Sequence, residues 1–166
     1  MTKPPVRRLS GADAPEWRAL RLEALSRYPQ AFLTTHDEAA AVPMDTIVHR
    51  LDTGHSFGVF QGATLVGIGS LVLLTREQTK HRAELGAFFV QPHAQGTGAA
   101  RALLDGMAAA AADIGIRQME LYVASSNARG IAFYTRAGFY EVGRIPNATL
   151  SDGVSETDLI MIRHLS

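Results

Sequence analysis

Residues Gln95-Gly96-Thr97-Gly98-Ala99-Ala100 lie between an apolar run and a long helical pattern, and side chains almost vanish where that helix must begin. The first turn of a helix leaves backbone N–H groups without intrahelical partners, and glycine keeps the approach to them open. Such a turn suits an anion, most often a phosphate. A P-loop would require a lysine after its last glycine, and no lysine follows Lys80. A dinucleotide fingerprint would require a third glycine where Arg101 stands, and an arginine there obstructs close packing of helix on sheet. Glu120 lies at the distance of a ribose-binding acid, yet it precedes the strand LYV instead of ending it. A nicotinamide-dependent oxidoreductase is therefore the weaker reading, and a tight strand-to-helix connection without a ligand is the plain structural one. Ser70, in Gly67-Ile68-Gly69-Ser70-Leu71, lacks the trailing glycine of a nucleophile elbow. The six histidines form no H-x-x-x-H pair, so no metal is assigned, and His93 beside the turn reads as a surface position.

Composition narrows the classes further. Lys+Arg and Asp+Glu each total 16 in 166 residues, a formal net charge of zero that argues against nucleic-acid phosphates or an anionic membrane as partners. With no cysteine, disulfides, thiolate metal ligands and a cysteine acyl-enzyme are all excluded. The first residues, MTKPPVRRLSGADAPEW, lack an apolar signal core, and no run reaches the ~20 apolar residues of a membrane span. The expectation is a cytoplasmic protein forming one domain over residues 1–166, long enough to bury roughly two thirds of its unfolded surface.

The elements that must position the turn are legible as patterns. A short strand at 6–9 precedes a helix from Asp13 to about Arg27, opened by Asp13 and Glu16 as a capping box, with Trp17, Leu20, Ala24 and Leu25 as its core face. Residues 30–42 read as irregular. Pro43 opens a second helix, MDTIVHRL. Runs 56–60 and 65–74 read as a hairpin, and 81–90 as the strand that enters the turn. A long helix from Thr97 to about Ile114 places Leu103, Met107, Ala111 and Ile114 on one face, with Gly115 as its stop. The alanine run 108–112 reads as close helix packing. A strand at 118–123, a helix at 127–136 closed by Gly138, and strands at 139–144 and 158–164 complete the chain. Alternating strands and helices favour a mixed sheet covered on both faces.

Gln95 to Ala100, spelling [QR]-x-x-G-x-[GA] after Val90-Gln91-Pro92, resembles the acetyl-CoA signature of the GNAT N-acetyltransferase superfamily. Residues 121–139, LYVASSNARGIAFYTRAGF, resemble that family's downstream element, with Asn127, Tyr134 and Ala137-Gly138-Phe139 in the matching places. Two ordered motifs about thirty residues apart are far more specific than either one. The resemblance implies an α/β (α+β) fold with about seven strands in a mixed central sheet, about four helices on its two faces, and a V-shaped splay between the parallel strands ending near Val90 and Val123. A bulge at Gly86 or Phe88 would allow the splay. It implies acetyl-CoA as cosubstrate, held at its pyrophosphate by Gln95, Gly96, Thr97, Gly98, Ala99 and Ala100, and along pantetheine by Phe88, Phe89, Val90, Asn127 and Tyr134. Asn127 also reads as a helix N-cap, and Phe88 and Phe89 side chains as core packing.

The implied reaction is direct acetyl transfer to a small-molecule or peptide amine in a ternary complex. An amine with pKa ~10.4 is neutral in only about one part in a few thousand at pH 7, so drawing on that form costs roughly 4–5 kcal/mol, which a general base lessens. Glu84 stands at the spacing of the glutamate base of some family members; equally it reads as an edge carboxylate paired with Arg82 or Lys80. A backbone N–H of Phe89 or Val90 would stabilise the thioester oxygen, and Tyr134 occupies the family's position for the acid that assists the leaving thiolate. His36, Asp37 and Glu38 read either as solvated loop residues or as an acceptor-binding pair of carboxylates. A homodimer through the last strands is compatible with this fold. The rival within the same resemblance is a non-catalytic acetyl-CoA-binding sensor or partner module, which would bind the coenzyme without turnover.

Overall fold

The computed structural model describes residues 2–166. The chain runs β1 (Val6–Arg8), α1 (Ala14–Arg27), α2 (His36–Ala40), α3 (Met44–Thr53), β2 (His55–Gln61), β3 (Thr64–Leu73), β4 (Arg82–Val90), α4 (Ala99–Asp113), β5 (Gln118–Ala124), α5 (Ala128–Arg136), β6 (Tyr140–Ser151) and β7 (Val154–His164). Seven strands form one mixed sheet in the order β1-β2-β3-β4-β5-β7-β6, antiparallel except for β4 beside β5. Against one face pack α1 and α3 through Leu20, Ala24, Ile47 and Leu51, with Ile68 and Phe89 from the sheet. Against the other packs α4, burying Leu103, Leu104, Met107 and Ala111 against Leu85, Met119, Leu121 and Phe139.

Each expected element is present, and four details differ for local physical reasons. Asp13 does not pair with Glu16 in a capping box; it reaches back to the Ser10 N–H at 2.8 Å and bridges Arg7 at 2.8 Å, fixing the turn before α1. The segment read as irregular contains α2, opened by a reciprocal cap in which the Glu38 N–H donates to Thr35 Oγ1 (3.2 Å) and the Thr35 N–H to Glu38 Oε2 (2.8 Å). Helix α4 begins at Ala99 because Gly98 takes φ +89°, and it ends before Ile114, which is 52% exposed; Ile116 is buried in its place. The closing strands are far longer than expected, because Asp152 (φ +49°) and Gly153 (φ +77°) form the tight turn that a two-residue hairpin requires.

The feature that positions the site is the β4–β5 pairing. It comprises Arg82 with Gln118, Ala83 with Met119 and Glu84 with Glu120, and extends no further. Beyond Glu84, β4 stays on β3 while β5 stays on β7 as far as Ala124. The register of β3 against β4 slips between Ile68 and Ser70, where Gly69 faces the two residues Ala87 and Phe88. The bulge thus comprises Ala87 and Phe88, the second of the two positions expected for it, and Ala87 carries the left-handed φ of +48°. A non-glycine residue there is strained by about 1–2 kcal/mol, and the slip turns Phe89 toward α1 and Phe88 toward α5.

Candidate active site

The parting strands open a groove of about 780 Å³. Of the residues singled out from the sequence, Phe88, Phe89, Val90, Gln95, Gly96, Gly98, Ala100, Asn127 and Tyr134 all line it. Thr97 closes its hydroxyl onto the Ala94 carbonyl at 2.5 Å, and Ala99 is fully buried, so these two can offer the groove only backbone. Glu84 lies at the last β4–β5 pair, at the apex of the splay rather than on the groove wall.

The glycine turn is built for close approach. Gly96 takes φ +76° and Gly98 φ +89°, and a Cβ at either position would project into open space. Peptide N–H groups at the start of α4 are therefore presented to the groove without side-chain cover. Gln95 locks the geometry by donating from Nε2 to the Val90 carbonyl at 3.0 Å. The Gln91 N–H donates to Val66 O at 2.9 Å, so alternation along the ladder turns the backbone polar groups of Val90 away from β3 and toward the splay. Of the two amides considered for the thioester oxygen, that of Phe89 faces the β3 ladder and that of Val90 faces the opening.

Asn127 caps α5, its Oδ1 accepting from the Gly130 N–H at 2.9 Å. Gly130 is needed for that contact, since a Cβ would stand 2.6 Å from the Asn127 amide nitrogen. Tyr134 is fixed by an aromatic cluster, with ring centroids at 6.2 Å to Phe88, 5.3 Å to Phe133 and 5.7 Å to Phe139. Burial pushes its phenol above the ordinary tyrosine range, so it holds its proton.

Neither arginine nor lysine pairs with Glu84. Arg82 instead makes a bidentate contact with Glu120 at 2.8 and 2.6 Å, and Lys80 pairs with Glu77 at 2.7 Å. Burial, with the charge of Glu120 opposite, raises the Glu84 pKa, whereas the Arg82 hydrogen bond lowers that of Glu120. Two carboxylates facing each other across one strand pair are thus pushed apart, one toward taking a proton and the other toward staying charged.

Sequence reasoning missed the far wall, the segment from Arg27 to Phe32, and the ring of Arg27, Arg101, Arg129 and Arg136 around the opening. Four arginines at one groove of a chain with zero net charge favour an anionic ligand; their scatter over three helices, α1, α4 and α5, left no local signal. His36, Asp37 and Glu38 do not line the groove, and Glu38 is committed to the α2 cap.

The profile of the acetyltransferase (GNAT) family matches residues 16–139, and the chain belongs to that family. No curated protein matches the chain in sequence. Among solved structures, a GNAT-family acetyltransferase from Streptococcus pneumoniae is similar with a TM-score of 0.86 at 19% identity, covering 98% of this chain and 100% of that one. An acetyltransferase from Salmonella typhimurium, solved with its cofactor acetyl-CoA, superposes with a TM-score of 0.84 at 18% identity over 99% and 95% of the two chains. A ribosomal-protein-alanine N-acetyltransferase from Brucella melitensis gives 0.79 at 22% identity over 97% and 99%. The class is therefore an acyltransferase of GNAT fold with acetyl-CoA as cosubstrate. The groove suits that coenzyme: open glycines and helix N–H groups for pyrophosphate, four arginines for phosphate charge, and aromatic walls for the arm.

Proposed function

We propose that the protein is an N-acetyltransferase that moves acetyl from acetyl-CoA directly to an amine in a ternary complex, as one domain over residues 1–166 acting in the cytoplasm. The observation that carries this reading is the end of β4–β5 pairing at Glu84 and Glu120, which opens one continuous groove from the glycine turn to Tyr134. Gln95 to Ala100 hold pyrophosphate through backbone N–H groups, and Phe88 to Val90 with Asn127 flank pantetheine. The Val90 N–H donates to the thioester oxygen as charge grows there. Glu84, its proton affinity raised, takes the amine proton through water. Once the C–N bond has formed, Tyr134 donates its O–H to the departing sulfur as the tetrahedral adduct collapses and the C–S bond breaks. That Arg82 and Lys80 pair with Glu120 and Glu77, and not with Glu84, supports this role.

The test has two stages. Acetyl-CoA at about 100 times its Kd should raise the unfolding free energy by roughly 2.7 kcal/mol, several degrees for a chain of this size, while NAD leaves it unchanged. Thiol release from acetyl-CoA with a panel of primary amines should then show amine-dependent turnover. Coenzyme binding without turnover on any amine would favour the non-catalytic module, and stabilisation by NAD alone would remove the reading.

A further inference from the structure

A second, smaller cavity of about 50 Å³ adjoins the groove on the α1 side of the splay. Gln30, Ala31, Phe32 and Ala124 border both cavities, so whatever occupies the small one lies next to the large one. Its remaining walls are Leu33, Tyr122, Thr149 and Asp158. Leu33 is 80% exposed and Tyr122 45%, an apolar rim that covers nothing in the chain itself. The single charged residue on the wall is Asp158, paired through its backbone with Ala124 at the last rung of β5 and β7. The groups acting on its proton affinity are burial and Glu156, and among the described residues no cation offsets them. Arg21 does not line this cavity; its guanidinium stacks on Phe32, 4.9 Å from the ring centroid, with Nη1 shielded from solvent. Charge therefore differs between the two cavities, with four arginines lining the large groove and a carboxylate lining the small one.

We propose that the acceptor is a primary ammonium on an apolar carbon frame, without a carboxylate beside the amine, seated with its charge against Asp158 and its frame against Tyr122 and Leu33. This rests on the acetyltransferase reading above. Nearly all of an amine of pKa ~10.4 arrives protonated at pH 7, so a carboxylate at the mouth binds the abundant form, and a charge-assisted hydrogen bond in a partly buried site is worth more than a neutral one. Free α-amino acids are disfavoured because their carboxylate would share the small cavity with Asp158, and no cation lines it.

The experiment measures, by calorimetry on CoA-saturated protein, the binding of phenethylamine and of phenylalanine, which share a frame and differ in the carboxylate. Phenethylamine should bind at least about tenfold more tightly; Asp158→Asn should weaken it about tenfold and Leu33→Ser a few-fold, with acetyl-CoA affinity unchanged in both variants. Leu33 is so exposed that its replacement leaves folding intact. Equal or tighter binding of phenylalanine would assign recognition to Arg21 and overturn the proposal. So would undetectable phenethylamine binding, or affinity indifferent to Asp158. Failure of CoA to bind at all would instead remove the underlying acetyltransferase reading, which keeps the two failures apart.

Discussion

The two ends of the site are made from different materials. The proposed coenzyme end presents peptide groups: Gly96 and Gly98 in left-handed conformations, the first turn of α4, and the Val90 backbone steadied by Gln95. The proposed acceptor end presents side chains, Leu33, Tyr122 and Asp158, brought from the loop after α1, from β5 and from β7. A phosphate can be held by any backbone that presents several N–H groups at once, so that end is contiguous in the chain and tolerant of side-chain identity except where a Cβ would intrude. An amine must be selected by charge and shape, which backbone does not supply. That end is dispersed, and it is where relatives of one fold can differ in substrate.

The sharpest way to break this contrast is at Gly98. Gly98→Val adds a branched side chain at φ +89° that projects into the groove, and acetyl-CoA affinity should fall about a hundredfold, read by calorimetry. The accompanying loss of stability, about 1–3 kcal/mol of backbone strain, should be separable by thermal unfolding. Affinity held within threefold would mean that the turn does not face the coenzyme.

Tyr134→Phe keeps the aromatic packing and removes the donor. It should lower kcat and kcat/KM together by about a hundredfold while leaving acetyl-CoA affinity within twofold. A rise in KM alone would place the hydroxyl in binding instead of in the transition state.

Glu84→Gln should cost about tenfold in kcat at neutral pH and abolish the acidic limb of the kcat/KM profile. The wild-type limb should lie above the ordinary carboxylate range, because the Glu84 pKa is raised and activity climbs as its proton is lost. An acidic limb unaltered in the variant would leave Glu84 without the role of base.

The smallest effect should come from its neighbour across the strands. Glu120→Gln leaves the part-buried Arg82 guanidinium with a weaker partner and should lower stability by about 1–3 kcal/mol with little change in kcat. The folded-state pKa of Glu120 is depressed, so its stabilisation is present above the unfolded pKa and is lost as pH falls through the folded value. Unfolding curves of the two proteins should therefore converge in acid; a constant gap would show that the ion pair is not the cause.

Particular residues show why one end was legible. Gly96 and Gly98 announce themselves because few other residues adopt their φ values, and Asn127 three residues before Gly130 is a local cap. Two further local signals were present and unread: Thr35 with Glu38, which opens α2, and Asp152-Gly153, which extends the last hairpin. By contrast, nothing near Asp158 or Tyr122 in the chain hints that they share a wall, since 35 residues of helix, turn and hairpin separate them. The fate of Glu84 was equally closed to sequence. Arg82, two residues away, could have paired with it, and only the β4–β5 register shows that Arg82 reaches Glu120 instead.

The sequence by itself determined the helix and strand periods, the glycine turn that opens α4, and the two ordered motifs of a GNAT acyltransferase, because each depends on interactions within a few residues along the chain. Only the tertiary structure decided where β4 leaves β5, that the strain of the bulge rests on Ala87, that four arginines line one groove, and that Asp158 lines the small cavity beside it. Those outcomes depend on strand register and on side chains converging from distant segments, and a register that moves by one residue reverses every face it touches.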